Sequence, residues 1–584
     1  MTAARLGRVS LAACVVLPAV CLALGGLSSP DAGWHLASGR WIVGHGAVPH
    51  TDPFSYGSAG EPWIDLHWLF QLGLYGIHRV AGVPGIVLAR AAAVAATLGL
   101  LLWRFGRGAG LWAIAPCVLL LAVVAHHRWL ARPDVVSHLI LAGQLVLWID
   151  YRAAPRRAWC VVPLQLLWVN LQGTFVLGIV VAGAFAAGEL LLLAPVLARR
   201  FDRAPLGRAG LQRLAALVAV TAGVSLLNPY GVAGALYPLE LWTRISGEHA
   251  IYAARIAEFM PPSALGPSSP ILLAWLALVG ITTAVVAARR LRVDPGLLVL
   301  WGLFLFLSLQ AIRNLPLSGY VSIALTGLGV QALHAESRRH PGRWLPVTLG
   351  VATAVAGLLL ARATLSNRVF HALDDPRRIG FAFNERTYPL AATRFLVEQG
   401  IPGPIFNDIN AGGYLAWSLA PRRSFVDGRL EVHDERLLTY HAALGNPRAF
   451  RRLAERYDVN VTLLSPLLAP GLPLLGALAR DPDWALVYFD ASYSIFVRRS
   501  AFPVERVEAW AAAGRAVERA YLESRDRPPD PPPTVVRALR AAGLLDASPE
   551  PPYDAGYRAE FFRLIGRRDE ALRELRRAQQ EGPR

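Results

Sequence analysis

The chain has 584 residues, of which 54% are hydrophobic and only 17% charged, and its mean hydropathy is +0.39. That balance excludes an ordinary soluble enzyme of this length and points to a polytopic membrane protein. The net charge is +17 and lysine is absent, so every basic side chain is an arginine; the Arg clusters lie between apolar runs, as a positive-inside protein facing anionic lipid requires, so membrane lipids are the expected partner and nucleic acid is not.

The first apolar run, Val9 to Leu27, follows Arg5 and Arg8 and reads as a signal anchor retained as the first span. Cys14, Cys21, Cys117 and Cys160 lie in or beside apolar segments, without metal spacing or a disulfide framework. Ser28 to Trp68 is the first loop. After it, Trp68 to Val80 is semi-apolar and reads as an interfacial or re-entrant helix, and Val83 to Trp103 is long enough to span. Further candidate spans are 109–125, 135–150, 158–170, 174–193, 213–227, 270–288, 295–311, 316–334 and 344–361, for about 11 in all. Alternating these spans puts Arg5/Arg8, Arg104/Arg107, Arg152/Arg156/Arg157, Arg199/Arg200/Arg203/Arg208, Arg289/Arg290/Arg292 and Arg338/Arg339/Arg343 on one side. That side is expected to be cytoplasmic. The expectation is a multi-pass protein of the cytoplasmic membrane with its N-terminus inside and the 28–68 loop, the 228–269 loop and everything after about residue 362 outside.

Beyond residue 366 the composition changes. Short β-like runs at Pro404–Phe406, Ser424–Val426, Val459–Leu464, Ala485–Phe489 and Ser494–Val497 alternate with helical stretches at Thr387–Gly400 and Pro447–Tyr457. The expected fold class is an α-helical polytopic membrane protein with an outward-facing α/β domain and a C-terminal helical hairpin. Three domains follow: a transmembrane core over 1–361 that includes the 28–68 loop, an α/β domain over 366–500, and a helical tail over 501–584. The PPDPPP run from Pro528 to Pro533 is a stiff-linker signal. Ala555 to Gln580 resembles one tetratricopeptide repeat, with Gly566-Arg567 at its turn; a lone copy cannot bury its own face, so it reads as a capping hairpin.

The first loop concentrates acids and histidines beside the membrane. If the segment from Asp31 is helical, Asp31 and His35 are i,i+4 neighbours. Such a pair can hold a divalent metal ion (Mg or Mn) or let one member act as a base; the plain alternative is a helix cap with Trp34 and Trp41 as headgroup anchors. Asp52, in His50-Thr51-Asp52-Pro53, is the second candidate, against a simple Asp-Pro turn. Asp65 and His67 lie where the chain re-enters the membrane, as binding or interfacial hydrogen-bonding groups. Arg132 and Arg313 fall at outward helix ends, where they can hold a phosphate or snorkel to headgroups. In the outer domain, Asp408 and Tyr414 flank a Gly412-Gly413 pair read as a tight turn, and Asp427 and Arg429 follow. These four can contact substrate or serve as turn and ion-pair residues. No P-loop, dinucleotide fingerprint, nucleophile elbow or zinc spacing is present.

An acid in the first outward loop, in a basic-inside polytopic chain ending in an outward soluble domain, resembles the GT-C superfamily of membrane glycosyltransferases. The fuller pattern DxGWHLAxGRWIxxHGxxPxTDPFSY is similar to uncharacterised bacterial membrane proteins of this kind. The resemblance implies an enzyme that takes a sugar from a polyprenyl-phosphate donor and passes it to a glycan or protein acceptor. It gives Asp31, with Asp52 as second choice, the role of base or metal ligand. The Asn407–Tyr414 region is faintly similar to the WWDYG region of oligosaccharyltransferase catalytic subunits, but both tryptophans are missing and that role does not carry over. The alternative function is a non-catalytic assembly or transport factor for surface polysaccharide that uses the outer domain and C-terminal helices for protein contacts.

Overall fold

The computed structural model describes residues 3–246, 257–336, 344–373, 375, 377–433, 435–526, 541 and 552–580. The Pro528–Pro533 run and the Arg338/Arg339/Arg343 cluster lie outside the described residues. Among the described residues, 8 helices are long and apolar enough to cross a membrane, including Leu6–Ala23, Leu111–Arg128, Pro270–Ala288 and Trp344–Leu365. The apolar helices Asp134–Ile149 and Pro295–Gln310 are shorter. The 8 long helices are fewer than the about 11 spans expected. The candidate at 158–170 supplies only the nine-residue helix Val161–Val169, cut short by the Asn170-Leu171-Gln172-Gly173 turn that follows. The element Trp68–Ala109 breaks at Gly82, whose φ of 60 lies in the left-handed region, with Pro84 just beyond. Glycine tolerates that backbone, and proline removes the donor that would continue the helix.

Contacts divide the chain into two compact units. A helical unit holds Met1–Leu24, Leu66–Phe70 and Gly85–Thr364, and a mixed unit holds Gly25–Asp65, Gln71–Pro84 and Leu365–Arg584. The first loop is thus grouped with the C-terminal residues, whereas the sequence placed it with 1–361. The helical unit packs Val124, Ile271, Trp275, Ile312 and Leu315 into a buried cluster.

In the mixed unit, strands β1 (Ile405–Asn407), β2 (Val461–Leu464), β3 (Trp484–Phe489) and β4 (Ser494–Arg498) form one sheet in the order β1-β2-β4-β3. β1 runs parallel to β2, and the other two pairings are antiparallel. Ser424–Val426, expected as a strand, contributes only isolated bridges from Ser424 to Ser55 and to Ile405. Gly412 and Gly413 are not a turn: both lie inside the helix Ile409–Ser418. Packing decides this. A Cβ on Gly412 would lie 1.8 Å from the Val426 carbonyl oxygen, so local turn preference gives way to a close approach only glycine permits. The α/β domain also runs past residue 500, because the helix Val504–Asp526 adds Val507 and Trp510 to the core of the sheet. The helices Pro552–Leu564 and Arg568–Gln580 form a hairpin held by the buried Arg558–Glu574 pair at 3.0 Å. Phe561 of this hairpin stacks on Phe489 of β3 at 4.6 Å.

Candidate functional site

In the mixed unit, Asp31 opens the helix Asp31–His45, where a carboxylate complements the helix dipole. This helix crosses the helix Ile409–Ser418 at two glycines. A Cβ on Gly33 would lie 2.5 Å from the Gly413 carbonyl carbon, and one on Gly413 would lie 2.8 Å from the Pro30 oxygen. The D-x-G-W and A-G-G-Y stretches are therefore halves of one packing contact. It brings Asp31 against the backbone of Gly428, with its Oδ1 at 2.4 Å from where a Cβ would stand. Trp34 Nε1 donates to the same oxygen at 3.1 Å. His35 is buried, its ring 3.7 Å from that of Trp34.

Asp52 has a different fate. It is buried, accepts from the Phe54 and Ser55 amides at 2.9 and 3.3 Å and from the Ser55 hydroxyl, and pairs with Arg429 at 2.8 Å. Arg429 is fully buried, donates to Asp427 at 2.6 and 2.9 Å, and lies over Trp63 at 4.6 Å and Phe54 at 5.1 Å. His433 closes the network. Its Nε2 stands 3.1 Å from both the amide nitrogen and Oδ1 of Asp427, and its Nδ1 stands 2.9 Å from Ser58 Oγ. Burial alone would raise the Asp427 carboxyl, but Arg429 and His433 hold it well below the usual carboxylate range. Glu431 shifts the other way: burial raises it, and the charges of Asp427 and Asp31 push in the same direction against Arg429. Among Asp31, Asp52 and Asp65, Asp31 alone keeps partial exposure, while Asp65 is fully buried and accepts from Gln71 at 2.8 Å.

Asp408 caps the helix Ile409–Ser418 through the Asn410 amide at 2.8 Å, and burial pushes its carboxyl up to about 6. Tyr414 is half-buried between Phe383 and Tyr388, each 5.4 Å away. These contacts are those of packing residues.

The helical unit has its own charged cluster. Arg128 pairs with Asp134 at 2.6 Å and with Glu258. Arg132 reaches Glu258 at 3.2 Å, and Arg313 stands 4.0 Å from it over the ring of Phe259. Three guanidiniums thus face two carboxylates. Burial would raise Glu258, but the arginines hold it down to about 2. Burial pushes His67 down to about 4, against the pull of Asp134. A separate apolar groove of about 650 Å³ is lined by Trp68, Leu166, Leu167, Leu227 and the amides of Asn170 and Asn228. Sequence reasoning passed over Gly33, His433, Glu431 and Glu258. Each gains meaning only from partners far along the chain, although the Asp427-to-His433 spacing was a usable signal.

As a metal site, the Asp31 and His35 pair is short of donors. Among the described residues no group of three His, Cys, Asp or Glu side chains stands close enough to hold an ion. His35 is buried against Trp34, and Asp31 already accepts from it. Among the described residues, Asp31 and His35 do not by themselves make a protein cage for a divalent cation.

No family model matches the chain, and no curated protein matches it in sequence. In structure it is similar to the archaeal oligosaccharyltransferase AglB from Archaeoglobus fulgidus in complex with an inhibitory peptide and a dolichol-phosphate. The TM-score is 0.53 at 12% identity, over 79% of this chain and 69% of that one. A complex of the Archaeoglobus fulgidus oligosaccharyltransferase with Zn and sulfate matches at TM-score 0.50 and 13% identity, over 78% and 68%. ArnT from Cupriavidus metallidurans bound to undecaprenyl phosphate gives 0.49 and 13%, over 85% and 98%. At such identities the likeness shows the fold alone: this chain shares the fold of the archaeal oligosaccharyltransferase, with several helices long and apolar enough to cross a membrane and a small sheet.

Proposed function

We propose that this protein is a glycosyltransferase that moves a sugar from a polyprenyl-phosphate-linked donor to a glycan or protein acceptor at the outer face of the cytoplasmic membrane. The observation that carries the reading is the separation of the loop aspartates. Asp52 is buried in an ion pair and Asp65 is buried, whereas Asp31, which accepts from Trp34, keeps partial exposure beside Gly428. In this reading Asp31 takes the proton of the attacking acceptor hydroxyl as a general base. Trp34, donating to one carboxylate oxygen, fixes the direction of the other. His35, buried behind Trp34, is a positioning residue. Asp52, Asp427 and Arg429 hold the loop on the domain rather than meeting substrate, and Asp408 and Tyr414 set the helix that carries Gly413.

For the helical unit, the proposal gives Arg132 and Arg313 the donor phosphate. Their guanidiniums converge on one carboxylate, Glu258, and an anion held by arginine forks is the chemistry a leaving phosphate needs. The apolar groove beside Asn170 suits an isoprenoid chain.

The test is transfer by the purified full chain in lipid from a panel of labelled polyprenyl-phosphate sugars. Asp31→Asn is expected to abolish transfer while leaving the melting curve unchanged. Full transfer by a folded Asp31→Asn would sink the assignment. Arg132→Gln and Arg313→Gln are expected to raise the KM for the donor.

A further inference from the structure

The helical unit has a cavity of about 340 Å³ lined by none of the residues assigned above. Arg104 comes from the end of the helix Trp68–Ala109, Arg203 follows the helix Pro195–Phe201, and Arg289 and Arg292 lie between the helices Pro270–Ala288 and Pro295–Gln310. All belong to the arginine clusters that the alternation of spans puts on one, basic side.

The arginines are not equally neutralised. Arg104 forks onto Asp150 at 2.5 and 3.3 Å. Arg203 pairs with Asp294, which also caps the helix Pro295–Gln310 through the Leu297 amide at 3.1 Å. Arg289 pairs with Glu336 at the surface and donates to the Arg292 carbonyl at 3.2 Å. Its side chain is only 8% exposed, and its Nε makes no hydrogen bond among the described residues. Arg292 is exposed, and its charge acts on Glu336 as that of Arg289 does. A buried guanidinium edge with an unused donor is costly unless something accepts from it. The chain also holds two consecutive non-glycine residues in the left-handed region here, Arg290 at φ 51 and Leu291 at φ 64. Strain of this kind persists where the surroundings over-determine it, and it clusters at binding sites. The turn it makes puts the Arg289 side chain under the Arg292 carbonyl.

We propose that this cavity binds a phosphate group, with Arg289 and Arg292 as its donors. The volume is that of a small-ligand site. The arginine fork matches phosphate oxygens two at a time, and basic pockets at the ends of membrane helices take lipid head groups. Asp202, also on the wall, opposes the anion and limits how much charge the site accepts. The phosphate is that of an anionic phospholipid or of a small soluble ester; the chemistry is shared and the source is an experimental question.

The experiment uses the full chain, purified and delipidated in neutral detergent, and reads thermal unfolding. One arm adds phosphatidylglycerol against matched phosphatidylcholine. The other adds glycerol phosphate against sulfate at equal ionic strength, because sulfate reproduces the general salting effect. A rise in melting temperature with phosphatidylglycerol that at least halves in Arg292→Gln assigns a lipid phosphate. A rise with glycerol phosphate beyond sulfate that halves in the same variant assigns a soluble ester. Asp202→Asn, whose asparagine accepts the φ of 53 at that position, is expected to enlarge whichever response is seen. No rise in either arm, or a rise equal in native chain and Arg292→Gln, overturns the proposal.

Discussion

Replacing Arg429 by methionine tests the buried network directly. In the native chain one guanidinium serves two carboxylates, Asp427 at 2.6 Å and Asp52 at 2.8 Å, all three at or near zero exposure. Methionine keeps the packing against Trp63 and Phe54 but strands both acids. Removing one partner of a buried ion pair costs about 3–5 kcal/mol. The pH dependence also reverses. In the native chain the Asp427 carboxyl sits well below its unfolded value, so its contribution is in place above about pH 4 and is lost only as pH falls further. Without Arg429, burial dominates and the folded value rises above the unfolded one. Stability is then present below about pH 4 and is lost as pH climbs, with Asp52, His433 and Glu431 the remaining titratable neighbours. The assay is urea titration of the full chain in detergent at several pH values between 4 and 7.5, read by tryptophan fluorescence, since Trp63 reports on the site. A loss below about 1 kcal/mol, or a pH slope of the same sign as in the native chain, would refute the account.

Gly33→Ala is expected to cost about 1–3 kcal/mol, because its Cβ would meet the Gly413 backbone at 2.5 Å; the same change at Gly76, with nothing within 4 Å, should be neutral or stabilising in a melting comparison. Asp408, pushed up to about 6 from an unfolded value near 4, binds its proton more tightly in the folded state, so stability is greatest below about pH 4 and falls by roughly 3 kcal/mol as pH rises through 6. Asp408→Asn keeps a competent cap and should flatten that slope in denaturation curves at pH 4, 6 and 8. Glu258→Gln removes the carboxylate shared by Arg128, Arg132 and Arg313 and is expected to tighten polyprenyl-phosphate binding several-fold by titration; weaker binding would count against the phosphate role of that cluster.

What the sequence disclosed depended on range. Pro270–Ala288 was legible because a continuous apolar run has one outcome in a bilayer, and the change in hydropathy between Val80 and Val83 separated the two stretches that the structure joins across the break at Gly82. Four of the five β-like runs formed the sheet. The Ser424 segment did not, since its partners include Phe54 and Ser55, about 370 residues earlier. No local pattern encodes a pairing of that separation. The glycine pair failed for a related reason: turn preference is a local statistic, and the contact with Gly33 and Val426 that overrides it is tertiary.

The two leading loop acids looked alike in sequence, each an aspartate near an aromatic residue and a histidine. They differ only in what the distant segment 427–433 presents to them. Asp52 meets the Arg429 guanidinium, which satisfies it and removes it from solvent. Asp31 meets Gly428, where the missing side chain lets its carboxylate lie close to the backbone, accept from Trp34 and keep partial exposure. The two asparagine variants should therefore separate cleanly. Asp52→Asn loses a charge-assisted bond to a buried arginine, which costs about 1.5–3 kcal/mol, and lowers transfer only in step with folded protein. Asp31→Asn keeps a side chain that can still accept from Trp34 and complete the helix start, so it lowers stability by less than Asp52→Asn does, and it removes transfer per folded molecule. If Asp52→Asn instead loses transfer at full stability while Asp31→Asn retains it, the base is Asp52 and the ion pair with Arg429 must open during turnover.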